Sequence, residues 1–425
     1  MNYSQALNYF HETQKFGNRM DLHSIGVLLE HLGNPQKSLK YVHVAGTNGK
    51  GSTVAFISNI LIEAGYRVGV YTSPFIQRFT ERIKINDQEI PEEEIANLAD
   101  KIKIAVDNMQ ANNEGNITEF DLVTAMAFLY FAQHKCDIVV LEVGLGGRLD
   151  STNIIDLPEV AVITTVSYDH MDILGNTLPQ IAYEKAGIIK NGCEVVLYPQ
   201  ETGVETLFQN TCSEKNAQLH QVDFSKIISL SYGQFGQKFS YDKHNNLVIS
   251  LLGDHQLGNA ATAICAVEVL SSRGYTITED NINKGLRNTR WGGRLEIVQN
   301  NPLLLIDGAH NVQGVDSLKD CLIKYFPDSQ FTFIIGVLAD KEYKVMMEII
   351  EPIAQRFITI TPSSPRALSS QELATYLARY QKEIISFEGV EEALLFCKDT
   401  CRQEELICAF GSLYYIGSIR SFYGL

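Results

Sequence analysis

The chain has 425 residues, 45% of them hydrophobic and 20% charged, which is typical of a globular enzyme with two or three domains. Its formal net charge of −15 disfavours nonspecific binding to nucleic acid or to an acidic membrane surface. The sequence shows no signal-peptide pattern, no apolar run near the ~20 residues that span a bilayer and no C-x-x-C pair, so we expect a reduced, cytoplasmic protein. We also expect a monomer that acts on small molecules.

The first strand and helix of the chain predict a phosphate-binding loop. Residues 1–38 are expected to be helical, and 40–65 then give a buried strand, the glycine-rich turn AGTNGKGS and a helix with apolar residues at helical spacing. Backbone N–H groups, the helix dipole and Lys50 would together attract an anion. The turn is more compact than the usual P-loop, because Gly51 separates Lys50 from Ser52. The alternative is a simple βα turn with one exposed lysine.

Three further apolar strands are predicted in the first half of the chain, at 67–72, 137–143 and 160–166. Helices are predicted at 91–110 and 119–134, so strands and helices alternate as they do in a parallel, helix-covered sheet. Ligands of such sheets bind beyond the carboxyl ends of the strands. We therefore expect the loops GTNGKGS, SPF, GLGG and SYDH, which follow the four strands, to converge on one site.

The second half of the chain predicts a separate α/β unit. Short alternating runs in 219–252 indicate antiparallel hairpins, and 254–274 is an alanine-rich helix. A new series of apolar strands and helices starts at residue 303, after the linker-like run QNNP. We therefore predict an N-terminal domain at 1–298 and a C-terminal domain at 299–425.

Several polar residues at strand ends are candidates for chemistry. Glu142 could bind Mg²⁺ or cap the next loop, and the phosphate loop favours the metal ligand. His170 alone would be a structural histidine, but beside Glu142 it becomes a second candidate ligand, although Mg²⁺ prefers oxygen. Lys185 could be a surface lysine or part of the site. Asp307 could cap a helix or, with His310, line the same cleft.

Taken together, these motifs resemble one family. The segments HVAGTNGKGST, LEVGLGGRLDSTN, SYDHMDILGNT, GDHQLGNAATA, GGRLE, DGAHN and FGSLY follow one another across 41–415 as they do in the folylpolyglutamate and dihydrofolate synthases of the Mur ligase superfamily. The resemblance implies an α/β fold: a P-loop-containing ATPase domain with a parallel-rich sheet, then a smaller Rossmann-like domain. It also implies ATP-dependent addition of L-glutamate to the γ-carboxylate of a reduced folate through an acyl phosphate.

The resemblance also implies roles for individual residues, with Lys50, Lys185 and His310 as catalytic groups. The implied ATP-binding residues are Thr47, Asn48, Gly49, Lys50, Gly51, Ser52, Asn259, Arg294, Asp307 and His310. The implied ligands of two Mg²⁺ ions are Ser73, Glu142, His170 and Lys185, the last as a carbamate, which replaces a cation by oxygen donors. Phe75 and Arg82 are the implied folate contacts, and Ser412 is the implied glutamate contact.

The sequence leaves some alternatives open. Asp121 stands where the family pattern T-x-F-E has glutamate, so contacts there should differ. The motifs do not separate a polyglutamate synthase from an enzyme that makes dihydrofolate from dihydropteroate. A phosphotransferase and a nucleotide-gated binding module without chemistry are further alternatives. The set of Glu142, His170 and Lys185 argues against the binding module, because binding alone does not need two metal ions.

Overall fold

The N-terminal domain is built on one eight-stranded sheet in this computed structural model, which describes residues 1–13, 21–402 and 405–425. Its strands are β1 (Tyr41–Ala45), β2 (Val68–Tyr71), β3 (Ile83–Ile85), β4 (Gln88–Glu89), β5 (Ile138–Glu142), β6 (Val160–Ile163), β7 (Glu194–Leu197) and β8 (Gln218–Gln221). Their order is β4-β3-β2-β5-β1-β6-β7-β8. All neighbours pair in parallel except β3, which runs antiparallel to both β2 and β4.

Helices cover both faces of this sheet. They are α1 (Tyr3–Glu12), α2 (His23–His31), α3 (Lys50–Glu63), α4 (Glu92–Ala111), α5 (Glu119–Gln133), α6 (Met171–Leu174), α7 (Leu178–Ala186), α8 (Thr202–Glu214), α9 (Asp254–Ser272) and α10 (Glu279–Asn288). Alternate residues of β1 face opposite sides: Tyr41 packs with α1, α2, α4 and α5, whereas Val42 and Val44 pack with α3, α9 and α10. The predicted parallel, helix-covered sheet is confirmed. Within the helical stretch predicted for 1–38, residues 14–20 lie outside the described residues.

A small antiparallel sheet lies on the outer side of α9 and α10. It consists of β9 (Ile227–Gly233), β10 (Gly236–Tyr241) and β11 (His244–Ile249), which confirms the hairpins predicted from the alternating sequence. Phe239, Leu247 and Ile249 are fully buried and belong to the same apolar cluster as residues of both helices.

The C-terminal domain has its own six-stranded sheet with helices on both faces. Its strands are β12 (Glu296–Asn300), β13 (Leu303–Ile306), β14 (Gln330–Ile335), β15 (Ala354–Thr359), β16 (Glu383–Ser386) and β17 (Glu405–Phe410), in the order β12-β13-β17-β14-β15-β16. Its helices are α11 (Val312–Tyr325), α12 (Tyr343–Ile350), α13 (Ser370–Leu377), α14 (Val390–Thr400) and α15 (Leu413–Phe422). All strand pairs are parallel except β12–β13.

The domain boundary predicted between residues 298 and 299 falls inside β12. This strand pairs with β13 from Glu296 opposite Ile306 to Asn300 opposite Leu303. The run QNNP is therefore the end of a strand and the turn of a hairpin rather than a linker, and the second sheet begins at Glu296. None of the helices within the described ranges has the length and apolar character needed to span a membrane.

Candidate active site

Loops from both domains line one cleft. A cavity of about 260 Å³ is bounded by residues that follow β1, β2, β5 and β6 of the first sheet and β13 of the second. The predicted convergence of the four strand-end loops is therefore confirmed. Every residue predicted to bind ATP or metal lines this cavity: Thr47, Asn48, Gly49, Lys50, Gly51, Ser52, Ser73, Glu142, His170, Lys185, Asn259, Arg294, Asp307 and His310.

The glycine-rich turn has the geometry of an anion-binding loop. Gly49 precedes α3 with a left-handed φ of +84°, and a Cβ at this position would lie 2.6 Å from Oδ1 of Asn259, so only glycine fits. Lys50 Nζ donates hydrogen bonds to the carbonyl oxygens of Gly46 and Thr47, both at 3.1 Å. The ammonium is thus fixed above the turn, at the amino terminus of a 14-residue helix.

The same turn is connected to the C-terminal domain. Asn48 Nδ2 donates to Gln313 Oε1 at 2.7 Å and to Asn311 Oδ1 at 3.2 Å, both near the start of α11. On the other side of the turn, Gln256 Nε2 donates to Ser52 Oγ at 3.3 Å. The anion loop therefore has polar contacts with both sides of the cleft.

Two buried ionisable groups, Glu142 and Lys185, line the cavity near Lys50. Burial raises the pKa of Glu142 to about 6, although Lys50 opposes the shift, and Glu142 Oε2 accepts a hydrogen bond from the Ser73 backbone N–H at 3.2 Å. Burial and the charge of Lys50 lower the pKa of Lys185 to about 7. Lys185 Nζ donates to the Gly46 carbonyl oxygen at 3.0 Å. Lys185 is thus a buried site residue, and the surface-lysine alternative is wrong.

Asp169 is a site residue that the sequence analysis missed. It lies on the loop after β6, where its Oδ1 is 2.5 Å from Lys341 Nζ and its Oδ2 accepts from Asn311 Nδ2 at 3.1 Å. His310 Nε2 is 3.6 Å from the same carboxylate. Burial raises the pKa of Asp169, but His310, His170 and Lys341 outweigh burial and hold it well below its usual range. The signal was present in the sequence, because SYDH, DGAHN and LADK all follow strands.

The oxygen and nitrogen donors in this cavity could hold a Mg²⁺ ion whose remaining ligands come from a bound nucleotide and water. No group of three or more His, Cys, Asp or Glu side chains in the described parts of the chain is placed to hold a metal by itself. Glu142 supplies carboxylate oxygen, Ser73 a hydroxyl and His170 a ring nitrogen, and burial lowers the pKa of His170 to about 4, which leaves that ring neutral at pH 7. Mg²⁺ commonly takes one or two protein carboxylates and completes its shell with water and substrate phosphates.

Asp307 acts on the backbone around the cleft. Its Oδ2 accepts from the Leu295 N–H and its Oδ1 from the Ala309 N–H, both at 2.8 Å. The helix-cap alternative is wrong, because the N-cap of α11 is Asn311. Asp307 instead joins the turn after β13 to the segment that carries Arg294, whose guanidinium occupies the cavity wall.

A second, larger cavity of about 740 Å³ opens from the first. Phe75 and Arg82, the predicted folate contacts, line this cavity, and so does Ser412. Arg82 is buried, with its guanidinium carbon 5.6 Å from the ring centroids of Phe79 and Phe120. Its Nε has no hydrogen-bond partner among the described residues, so it is a buried donor available to an anion.

Two predicted features have structural roles that the sequence did not specify. Ser412 is the N-cap of α15 and accepts a hydrogen bond from the Tyr414 N–H at 3.3 Å, so its contact with glutamate stays a prediction. Asp121, the departure from the family pattern, forms a capping box with Thr118 at the start of α5 and accepts from Ser151 Oγ at 2.6 Å. It lines neither cavity.

Comparisons with known proteins agree with this arrangement. The model of the Mur ligase middle domain matches residues 44–267, and that of the Mur ligase glutamate ligase domain matches 293–413. The dihydrofolate synthase/folylpolyglutamate synthase of Bacillus subtilis (strain 168) is 38% identical over 98% of both chains. Among solved structures, the FPGS–AMPPCP–folate complex is 33% identical with a TM-score of 0.88 over 100% of both chains. E. coli FolC in complex with DHPP and ADP is 28% identical with a TM-score of 0.86, covering 98% of this chain and 97% of that one.

Proposed function

The chain belongs to the Mur ligase family and, within it, to the folylpolyglutamate and dihydrofolate synthases, and from that membership we propose its reaction. It adds L-glutamate to the γ-carboxylate of a tetrahydrofolate or its polyglutamate and converts ATP to ADP and phosphate. The product is an amide, so the enzyme is a carbon–nitrogen ligase.

The observation that carries this proposal is the junction of the two cavities. Ser73, His170 and His310 line both of them. The smaller cavity contains the anion loop, and the larger one contains aromatic side chains and the unpaired N–H of Arg82. A triphosphate on the loop and a folate in the larger cavity would bring a phosphoryl group and a carboxylate together at this junction. A relative with the same fold is known in complex with both AMPPCP and folate.

The first chemical step activates the carboxylate. A carboxylate does not react with an amine, so its oxygen first attacks the γ-phosphorus of ATP, ADP leaves and an acyl phosphate forms. With a triphosphate on the turn, Lys50 and the backbone N–H groups of the turn would stabilise the negative charge that collects on the phosphoryl oxygens. We propose that Ser73, Glu142, His170 and carbamylated Lys185 hold two Mg²⁺ ions there, which would neutralise phosphate charge and fix the γ-phosphate for in-line transfer.

The buried lysine is suited to carbamylation. Only a neutral amine adds CO₂, and with a pKa lowered to about 7 a substantial fraction of Lys185 is neutral at physiological pH. The carbamate would extend the side chain by one carboxylate group and replace a cation by an oxygen donor. This would remove the repulsion between Lys185 and Lys50 and supply a ligand for a metal ion.

The second step forms the amide bond. The amine of L-glutamate attacks the carbonyl carbon of the acyl phosphate, the tetrahedral intermediate loses phosphate and the amine loses a proton. Contacts from Asp169 to Asn311 and Lys341 hold the two domains together at the junction, and shielding the junction from water would protect the anhydride from hydrolysis. We propose Ser412, on the C-terminal wall of the larger cavity, as a contact of the incoming glutamate.

A second candidate reaction is the synthesis of dihydrofolate from dihydropteroate and glutamate. It is favoured by the double name of the 38% identical relative and by the DHPP complex of a protein that matches 98% of this chain. We propose that the enzyme acts on these small molecules as a cytoplasmic monomer, and its net charge of −15 argues against nucleic acid as a partner.

The test uses purified enzyme with ATP, Mg²⁺ and labelled L-glutamate, and adds tetrahydrofolate or dihydropteroate in separate reactions. Label incorporated with tetrahydrofolate supports the proposed function, and label incorporated with dihydropteroate as well identifies a bifunctional enzyme. Incorporation with dihydropteroate alone would replace the main proposal by the second. ADP release without any amide product would show a phosphotransferase instead.

A further inference from the structure

The last helix of the C-terminal domain holds the loop that carries Ser73. Gln77 lies on this loop, between β2 and β3, and its Oε1 accepts a hydrogen bond from Arg420 Nη1 at 2.8 Å. Gln77 Nε2 donates to Ser421 Oγ at 3.2 Å and to the Leu425 carbonyl oxygen at 2.9 Å. One amide side chain of the N-terminal domain thus makes three contacts with α15 and the residues that follow it.

The backbone of this loop is pressed against α15. A Cβ added to Gly417 would lie 1.9 Å from the Ile76 carbonyl oxygen, so the helix and the loop touch at a position where only glycine fits. The Ile76 side chain packs against the apolar cluster of the C-terminal domain that includes Ile416 and Ile419. The loop therefore crosses the cleft and is seated in the second domain.

Arg420 has a second partner on the nucleotide side of the cleft. Its Nε is 3.3 Å from Glu296 Oε1, and Glu296 Oε2 accepts a hydrogen bond from the Gly293 N–H at 2.7 Å. The next residue, Arg294, lines the smaller cavity. The Arg420 guanidinium therefore contacts both Gln77, on the loop that lines the larger cavity, and Glu296, which is hydrogen-bonded to the segment that carries Arg294.

We propose that Arg420 is a positioning residue for the ligation, acting through Gln77 on the loop between β2 and β3 and through Glu296 on the segment that carries Arg294. Arg420 lines neither cavity, so it affects the reaction only through these partners. Because its two contacts hold segments whose residues Ile76 and Arg294 line different cavities, Arg420 sets the position of one substrate site relative to the other. This inference rests on the proposed function, which assigns folate to the larger cavity and ATP to the smaller one.

The test compares KM values for tetrahydrofolate and for ATP in three single variants. Gln77→Met should raise the KM for tetrahydrofolate and leave that for ATP unchanged, and Glu296→Gln should do the reverse. Arg420→Met should raise both, each by about tenfold, because it removes a hydrogen bond from a charged group to Gln77 and an ion pair with Glu296. In the double variant Gln77→Met/Arg420→Met, the rise in the KM for tetrahydrofolate should stay below the product of the two single effects, because either single variant already removes the contact between Arg420 and Gln77.

A matched control separates positioning from general damage. Arg287→Met replaces an exposed arginine on α10 that lines neither cavity and should leave both KM values unchanged. If Arg420→Met does not fold, Gly417→Ala is used in its place. The methyl group that this substitution adds would displace the loop at Ile76, so this variant should raise the KM for tetrahydrofolate alone. The proposal is wrong if an active Arg420→Met has wild-type KM values, or if the Gln77 and Arg420 effects multiply. A wild-type enzyme that incorporates no glutamate would contradict the proposed function instead.

Discussion

Asp169 and Lys341 form a buried ion pair between the two domains, with Oδ1 and Nζ separated by 2.5 Å and each side chain less than a tenth exposed. The two residues lie 172 positions apart, on loops that follow β6 and β14. The pair lies beside His170 and His310, at the junction of the two cavities. Docking of the domains and assembly of the site therefore depend on the same contact.

Replacing Lys341 by Met should impair the closed enzyme far more than the fold of either domain. Loss of one partner from a buried ion pair typically costs about 3–5 kcal/mol, because the remaining charge stays desolvated, so we expect kcat/KM to fall by roughly 100-fold or more. The melting temperature should change little, since each domain keeps its own core. Steady-state glutamate incorporation and thermal unfolding measure the two effects.

A double-mutant cycle isolates the pair. Asp169→Asn/Lys341→Met should lose less activity than the product of the two single effects, because the double variant leaves no uncompensated charge. Lys344→Met, which removes an exposed lysine three residues further on, should behave like wild type. Strictly multiplicative losses would show that the two residues act independently.

Local sequence patterns were sufficient to predict the strands, turns and helix that position this site. The order of β1, turn and α3 followed from apolar spacing and glycine positions within one short segment, 40–65. Because all parallel strands present their carboxyl ends to one edge, Glu142 and His170 could be placed together without knowledge of the strand order. The same reasoning placed Asp307 and His310 on the facing edge.

Contacts over long sequence distances could not be predicted in this way. The positions of Asp169 and Lys341 after strands indicate that each could line a site, but they do not indicate that the two side chains pair. The burial of Arg82 likewise depends on Phe120 from another element. Strand β3 was missed because its polar flanks look like a loop, and β12 was missed as part of the second sheet because QNNP reads as a linker. In each case the structure of the segment depends on a strand or side chain that is distant in the sequence.

Lys50→Ala should abolish most turnover and leave the fold intact. Removal of one preorganised donor to a developing charge typically lowers kcat by about 100- to 1000-fold. ATP binding can be followed separately, because the only tryptophan, Trp291, lies against Gly51, where an added Cβ would be 2.8 Å from the indole ring. Lys50→Arg is the matched control for charge and should retain more activity than Lys50→Ala. Near-normal glutamate incorporation by Lys50→Ala would contradict the assigned role of the loop.

Carbamylation of Lys185 can be detected directly. After incubation with ¹³C-bicarbonate, wild-type enzyme should show a carbamate carbon by NMR, and Lys185→Met should lack it. Lys190→Met is the matched control, because Lys190 is also a partly buried lysine whose pKa burial lowers, and it lies outside both cavities. Its spectrum should keep the signal. A signal that persists in Lys185→Met, or is absent from wild type, would exclude the carbamate.

The pH dependence of stability should have a component from His244, at the start of β11. Its Nδ1 is 2.5 Å from Glu279 Oε2 and its Nε2 is 3.1 Å from Glu268 Oε1, so one imidazole ties the small sheet to α10 and α9. Burial by itself lowers the pKa of His244, but the hydrogen bonds to Glu268 and Glu279 outweigh burial and raise it above its ordinary value. The protonated ring is therefore favoured more in the folded state than in the unfolded state.

The sign of the effect follows from proton binding. Above the unfolded pKa of about 6.5 the folded state holds more protons than the unfolded one, so this contribution to the free energy of unfolding falls as pH rises through the folded pKa. The stability difference between wild type and His244→Gln, measured by urea unfolding, should be largest at the acidic end of a series from about pH 6 to about pH 9 and shrink toward the alkaline end, because the raised pKa of the folded ring lies above the ordinary histidine value. Glu279→Gln, which removes one negative charge beside the ring and keeps an oxygen acceptor, should weaken this trend. Parallel curves for wild type and His244→Gln across the series would show that the ring is not protonated in the folded protein.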